Sequence, residues 1–210
     1  ARSGKKRVIF MERILVIRFG SLGDVVMAGA VIEELSRMKG RFRVVFLTKK
    51  AYAPLFDGDP RIERVVGIDP TESPGSIVRS VGEEFDAVID LHGTLRSMMV
   101  SALVRAPLKI RVKKHGFKRR LVVWSRNKLR RRFDVLGFYL NTLSPLGCSS
   151  RVLPRLFAAP DALDSADRVL AAFRKKGGCL IGLAPGSRHP SKRWDVHSWA
   201  KLADTIASGG

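Results

Sequence analysis

The stretch Ile14 to Leu35, ILVIRFGSLGDVVMAGAVIEEL, constrains this chain more than any other. Ile14 to Ile17 is short, apolar and mostly β-branched, as a parallel strand covered on both faces would be. Gly20, Ser21, Leu22 and Gly23 break that run. From Val25 the apolar residues Ala28, Val31, Ile32 and Leu35 recur at three- and four-residue steps, so the period changes from strand to helix within a few residues. A turn of this kind lies at the carboxyl end of a strand, where open α/β sheets place their ligands. Its N–H groups and the helix terminus favour a negative group. Asp24 therefore has two readings: a helix N-cap, or a carboxylate at the mouth of a ligand cleft acting as general base.

The rest of the chain repeats the alternation. Lys39-Gly40 stops the first helix, and Phe42 to Leu47 reads as a second strand. Thr48 to Phe56 reads as a short helix or loop, and Arg64 to Ile68 as a weaker third strand. A helix is expected over Ser76 to Glu84. Phe85 to Leu91 is a fourth strand that runs into Asp90, His92 and Gly93, again at a strand's carboxyl end. Thr94 is placed to cap a helix over Leu95 to Leu103 that carries Arg96 and Ser97 on its first turn. Leu108 to Val112 reads as a fifth strand, and Phe133 to Leu143 as an apolar helix. Asp161 to Lys176 is an amphipathic helix closed by Gly177-Gly178. Cys179 to Ala184 then reads as a new buried strand, followed by a polar loop and a helix over Val196 to Ala207.

The chain has 210 residues, 45% of them apolar, enough for one domain core and part of a second. No apolar run reaches membrane-spanning length, and the N-terminus has no signal-peptide core. Cys148 and Cys179 have neither disulfide-framework nor metal-ligand spacing, and His115, His189 and His197 show none either. These features fit a cytoplasmic protein without a structural metal. Residues 1–10 read as an extension or cloning remnant. Trp194 and Trp199 read as core residues.

Charge is the outlier. Lys and Arg total 39 against 19 acids, and 13 of the excess 20 positive charges fall between Arg105 and Arg132, where there is no Asp or Glu. There Phe117, Leu121, Val122, Val123 and Trp124 interleave with Lys118, Arg119, Arg120 and Arg126. That is the pattern of a basic amphipathic element, and it asks for an anionic partner: nucleic acid, a membrane surface or a phosphorylated molecule.

Three blocks, ILVIRFGSLGDVV, AVIDLHGTLRSMM and IGLAPGSRHPSKRWDVHSWAKLA, resemble the ADP-heptose:lipopolysaccharide heptosyltransferases, glycosyltransferase family nine, in the family's order and with similar spacing. The resemblance implies an α/β chain of the GT-B type, with two Rossmann-like domains, one for acceptor and one for donor. Residues 11–154 would form the acceptor-side domain and 155–178 a linker and helix. Residues 179–210 would be the start of a truncated nucleotide-sugar domain, so that the chain is an incomplete fragment whose own activity is open. The reaction implied is an inverting, metal-independent transfer of heptose from ADP-heptose to the Kdo/heptose inner core of lipopolysaccharide, with no cofactor beyond the donor substrate.

By motif position, the resemblance puts the catalytic base at Asp24 and the donor-phosphate site at Ser187, Lys192 and Arg193. It puts the acceptor side at Gly23, Asp90, His92, Arg96 and Ser97. The basic patch at Lys113, Lys114, Lys118, Arg119 and Arg120 then suits a phosphorylated, Kdo-bearing lipid A and the anionic inner face of the cytoplasmic membrane, where the protein would sit peripherally. Chemically, Asp24 would take the acceptor's proton while Lys192, Arg193 and loop N–H groups stabilise the leaving diphosphate. A helix terminus should lower the Asp24 pKa and weaken it as a base.

Two other classes compete. A basic nucleic-acid-binding α/β module would explain the charge, but no RNP signature or zinc finger is present, and nucleic acid is not the expected partner. A nucleotide-dependent oxidoreductase would explain the first turn. Yet Gly20-x-x-Gly23 is not Gly-x-Gly-x-x-Gly, and the second strand ends in Thr48-Lys49-Lys50 where an acid for the ribose is expected.

Overall fold

The computed structural model describes residues 12–38, 42–82, 84–112, 134–148, 151–174, 180–187 and 190–208. The basic-patch residues Lys113, Lys114, Lys118, Arg119 and Arg120 lie outside them. By its contacts the chain divides into two units, Ala1–Ala159 and Pro160–Gly210.

The first unit is built on a five-stranded parallel sheet: β1 (Arg13–Ile17), β2 (Arg43–Lys49), β3 (Ile62–Ile68), β4 (Ala87–Asp90) and β5 (Leu108–Arg111), in the spatial order β3-β2-β1-β4-β5. Strand residues alternate between two cores. Ile14, Val16, Val44, Phe46 and Ile89 pack with Val25, Ala28, Val31, Ile32 and Leu35 of α1 (Leu22–Arg37). Leu15, Ile17, Val45, Leu47 and Val88 pack on the opposite face with Ile77, Val78 and Val81 of α2 (Pro74–Val81) and Val100 of α3 (Leu95–Leu103). Both faces of the central strands are thereby covered, which is why Ile14 to Ile17 in β1 and Ala87 to Ile89 in β4 read as apolar runs. Each large apolar side chain so enclosed contributes about 1.5–3 kcal/mol.

Helix ends follow local chemistry. Ser73 accepts from the Ser76 N–H at the start of α2, whose first residue is Pro74. This helix stops at Val81, short of the expected Glu84, because Gly82 takes φ +94°, a conformation open to glycine. Thr94 and Ser97 form a capping box for α3. The apolar segment expected as one helix over Phe133 to Leu143 is α4 (Val135–Leu140) continued by a 3-10 turn over Asn141–Leu146, where Pro145 has no N–H for a helical ladder.

Residues 151–159 lie along the first unit. Arg61, ion-paired with Glu33 and Asp59 at 2.5 Å, donates to the Arg155 carbonyl at 2.8 Å and stacks on Phe157. Ala158 and Ala159 pass so close to Gly58 that a Cβ there would meet the Ala159 nitrogen at 2.8 Å.

The described part of the second unit holds α5 (Pro160–Arg174) and α6 (Val196–Ser208). The strand expected at Cys179 to Ala184 is not formed over its described residues: Leu180, Ile181 and Leu183 are 49%, 51% and 42% exposed in irregular backbone. A parallel strand needs a neighbour to complete its hydrogen bonds, and none occurs among the described residues of this unit. Trp194, expected in a core, is half exposed and meets Trp199 edge-on at 5.4 Å.

Candidate active site

The chain crosses from one side of β1 to the other between β3 and β4, so the sheet order reverses between β1 and β4. At such a switch point the two following turns diverge and leave a crevice at the strands' carboxyl ends. The turns after β1 and β4 both end here. They are tied together by Arg18, whose Nη1 donates to the Leu91 carbonyl at 2.6 Å, and by Phe19, whose ring lies 5.0 Å from the ring of His92 and under the Arg96 guanidinium.

Asp24 occupies the third position of α1. Ser21 is the N-cap, and its N–H is bonded by the Asp24 carboxylate at 3.3 Å. The N-cap reading of Asp24 is therefore corrected: the apolar period begins later than the helix, which already includes Leu22 and Gly23. Four groups converge on the carboxylate. Oδ2 accepts from Arg18 Nη2 at 2.6 Å, from the Ser21 hydroxyl at 3.0 Å and from the Ser21 N–H; Oδ1 accepts from the Tyr139 hydroxyl at 2.8 Å. About a third of the Asp24 side chain remains open to solvent.

Burial alone raises the Asp24 pKa. The Tyr139 hydroxyl, the Arg18 charge and Ser21 outweigh it and hold the carboxyl below its ordinary value. The direction matches the sequence expectation, but the named causes are side chains and the Ser21 N–H. Tyr139 is pushed up, by burial first and by the Asp24 carboxylate it donates to, against the opposing Arg18 charge, so it stays a neutral donor. Arg18 is 7% exposed, and a buried guanidinium requires such a counter-charge.

Gly20 and Gly23 have different reasons for being small. Gly20 takes φ +155°, and a Cβ there would lie 3.1 Å from the Tyr52 ring. Gly23, apart from its chain neighbours and its own helix backbone, has no atom of the described residues within 4 Å of where its Cβ would stand, so it leaves open space on that side of the turn.

The second block is placed at the neighbouring turn. Asp90 is fully buried, its Oδ1 accepting from the N–H groups of His92 and Gly93 at 2.9 and 2.8 Å and its Oδ2 from the Ser97 hydroxyl at 3.0 Å. Arg111 lies 3.5 Å from the same Oδ2. Ser97 is also fully buried. Both shape the turn, and neither presents a free surface. Arg96 donates to the carbonyls of Asp69, Pro70 and Glu72, bracing the β3–α2 connection. His92 is partly exposed beside Phe19.

In the second unit, Arg193 donates to the Ser187 carbonyl at 2.7 Å and thereby closes the loop that bears Lys192. Lys192 ends a single 3-10 turn, and Lys192 and Arg193 are exposed, as an anion site would need. Among the described residues no three His, Cys, Asp or Glu side chains gather to hold a metal ion, and no helix is long and apolar enough to cross a membrane. A charged cleft lined by Arg13, Glu84, Phe85 and Asp86 lies at the opposite, amino-terminal end of the sheet, where Asp86 is committed to the N–H groups of Glu12 and Arg13.

Sequence reasoning did not single out Arg18 or Tyr139. Arg18 had a signal: a charge wedged between Ile17 and Phe19 where a buried strand ends. Tyr139 had none beyond a phenol in an apolar helix.

A family model described as glycosyltransferase family 9 (heptosyltransferase) matches residues 75–210. No curated protein matches the chain in sequence. Among solved structures, a glycosyl transferase family 9 protein from Veillonella parvula is 18% identical with a TM-score of 0.71, over 93% of this chain and 60% of that one. The E. coli heptosyltransferase WaaC with ADP-2-deoxy-2-fluoro heptose is 16% identical, TM-score 0.63, over 94% and 66%. The E. coli ADP-heptose lps heptosyltransferase II is 17% identical, TM-score 0.63, over 94% and 62%. The chain thus spans between three fifths and two thirds of these solved chains. At such identities the likeness establishes the fold, α/β of the GT-B type.

Proposed function

This chain belongs to glycosyltransferase family 9, and on that premise we propose that it serves an inverting transfer of heptose from ADP-heptose to the Kdo/heptose inner core of lipopolysaccharide. The observation that carries the reading is the Asp24 carboxylate, ionised and one third exposed at the switch point of the sheet, the position from which a base reaches a bound hydroxyl. In the proposed step the acceptor hydroxyl oxygen bonds the anomeric carbon from the face opposite the diphosphate. The bond from that carbon to the ADP oxygen breaks, and the hydroxyl proton passes to Asp24. A carboxylate held below its ordinary pKa takes the proton late, once the attacking oxygen has become strongly acidic, so its contribution is largely orientation.

Lys192 and Arg193, exposed on the loop that Arg193 closes onto Ser187, are proposed to neutralise the charge gathering on the departing ADP without a divalent ion. The donor class is supported by the fold neighbour that carries an ADP-heptose analogue. The acceptor is proposed to be a phosphorylated, Kdo-bearing lipid A at the inner face of the cytoplasmic membrane, met by the basic run of residues 105–132. Gly23, with its open space, and His92, on the neighbouring turn beside Phe19, are proposed to border the acceptor hydroxyl.

The test is transfer by the full-length protein, offered ADP-heptose beside other nucleotide sugars. Transfer from ADP-heptose that Asp24→Asn abolishes with the fold intact is the expected result. Full activity of Asp24→Asn overturns the base, and transfer from a different nucleotide sugar alone overturns the donor.

A further inference from the structure

A carboxylate offers about four lone-pair positions, two on each oxygen. On Asp24 they are unequally occupied. Oδ2 takes Arg18 Nη2, the Ser21 hydroxyl and the Ser21 N–H, at 2.6, 3.0 and 3.3 Å, and is saturated. Oδ1 takes one donor among the described residues, the Tyr139 hydroxyl at 2.8 Å, and keeps a position open. Neither partner is free to drift. Arg18 is fixed through its second Nη by the Leu91 carbonyl, and its guanidinium lies 5.4 Å from the centre of the Tyr139 ring. Tyr139 is 3% exposed and packed in the core with α1.

We propose that Tyr139 is a positioning residue of the transfer: with Arg18 locked on Oδ2, its hydroxyl sets the carboxylate plane so that Oδ1 is the oxygen that takes the acceptor's proton. The proposal rests on Asp24 being the base. Chemically, the new O–H bond forms at the free lone pair of Oδ1, while Tyr139 continues to donate to the other and Arg18 stays on Oδ2. Tyr139 itself neither gains nor loses a proton. Its hydroxyl also stabilises the charged carboxylate more than the neutral acid, so its removal leaves a stronger base in a poorer orientation. The groups that act on Asp24 among the described residues are Arg18 from the end of β1, Tyr139 from α4 and Ser21 from the turn.

The experiment compares full-length wild type, Tyr139→Phe and Asp24→Asn. Tyr139→Phe keeps the ring and its packing and removes one oxygen. The expected result is a fall in kcat of roughly tenfold or more, the scale of one hydrogen bond to a charged group, with the donor KM little changed. The acid limb of the pH–rate profile should move to higher pH, and so should the titration of the Asp24 carboxyl carbon followed by NMR, which needs no turnover. Should Tyr139→Phe fold poorly, 3-fluorotyrosine at position 139 keeps the shape and strengthens the donor, and both readouts should move to lower pH. Unchanged kcat and unchanged titration, with Asp24→Asn inactive, overturn the role of Tyr139 alone. Full activity of Asp24→Asn overturns the base itself and this proposal with it.

Discussion

The Tyr139 hydroxyl donates to Asp24 Oδ1 across 2.8 Å, although the two residues stand 115 positions apart. Arg18 occupies the other carboxylate oxygen and reaches on to the carbonyl of Leu91. One carboxylate therefore joins the ends of two neighbouring strands and two helices. Its charge is part of the fold as well as of the proposed reaction.

That charge gives a pH dependence of stability. Burial raises the pKa of Asp24, and its bonds to Tyr139, Arg18 and Ser21 bring it below the ordinary 3.8. Burial likewise raises Glu33, and Arg37 and Arg61 bring it below 4.5; the N–H groups of Arg13 and Glu12 lower Asp86 directly. A group whose folded pKa is depressed stabilises the fold above its unfolded pKa, and the contribution is lost as pH falls through the folded value. The urea midpoint should hold from neutrality to about pH 5 and then fall steeply below about pH 4. Asp24→Asn should start lower and fall less over the same interval. A parallel decline of the two proteins would show that Asp24 is not among the groups responsible.

The Asp90 turn should be as sensitive as the core. Ser97→Ala leaves the buried Asp90 Oδ2 with Arg111 at 3.5 Å as its remaining partner among the described residues. Leaving such an oxygen short of a donor costs about 1–3 kcal/mol. Urea unfolding measures it, and a loss below about 0.5 kcal/mol, the scale of a surface change, would mean that the bond is not needed.

The sheet was legible because its strands are buried on both faces: Ile14 to Ile17 and Ala87 to Ile89 could hardly be anything else once glycine turns and helical periods flanked them. Asp24 stood out for the same reason, sitting where the period changes. Its partners did not. Tyr139 reaches the site only through tertiary packing of α4 on α1, and nothing in LGFYL distinguishes a phenol aimed at a carboxylate from one in a core. Arg96 and Ser97 were readable as first-turn residues of α3, but not as a brace on three carbonyls and a buried partner of Asp90, since those bonds depend on where the 69–73 loop and Asp90 come to lie. Leu180 to Leu183 has the composition of a strand, and composition cannot supply the neighbour a strand requires.

Gly58 should not accept a side chain. A methyl there would stand 2.8 Å from the backbone nitrogen of Ala159 and 2.9 Å from its Cα, so the backbone must move. Gly58→Ala should cost about 1–3 kcal/mol and speed amide exchange across residues 151–159. Arg61→Ala should speed it there too, by removing the bond to the Arg155 carbonyl and the stack on Phe157. Exchange rates equal to wild type in both variants would show that these contacts do not hold the segment.

The basic run predicts a salt-sensitive membrane contact. Replacing Lys118, Arg119 and Arg120 together by Glu reverses three charges, and each cation near an anionic leaflet contributes about 1 kcal/mol. Co-sedimentation with anionic vesicles should fall by more than tenfold, and neutral vesicles should bind neither protein. Undiminished binding would remove the membrane from the proposed role of this run.

Gly23 separates a requirement of the fold from a requirement of the substrate. Helical positions ordinarily prefer Ala to Gly by up to about 1 kcal/mol, and beyond its chain neighbours and helix backbone no atom of the described residues stands within 4 Å of where the new methyl would lie. The fold therefore gives no reason for glycine here, in contrast to Gly20, where the backbone angle and the Tyr52 ring both do. Gly23→Ala should leave the melting temperature unchanged or raise it. If the space beside Asp24 receives the acceptor, the same methyl should raise the acceptor KM several-fold while the donor KM stays constant. A steady-state series in each substrate reads both, and an acceptor KM equal to wild type would place the sugar hydroxyl elsewhere than beside this turn.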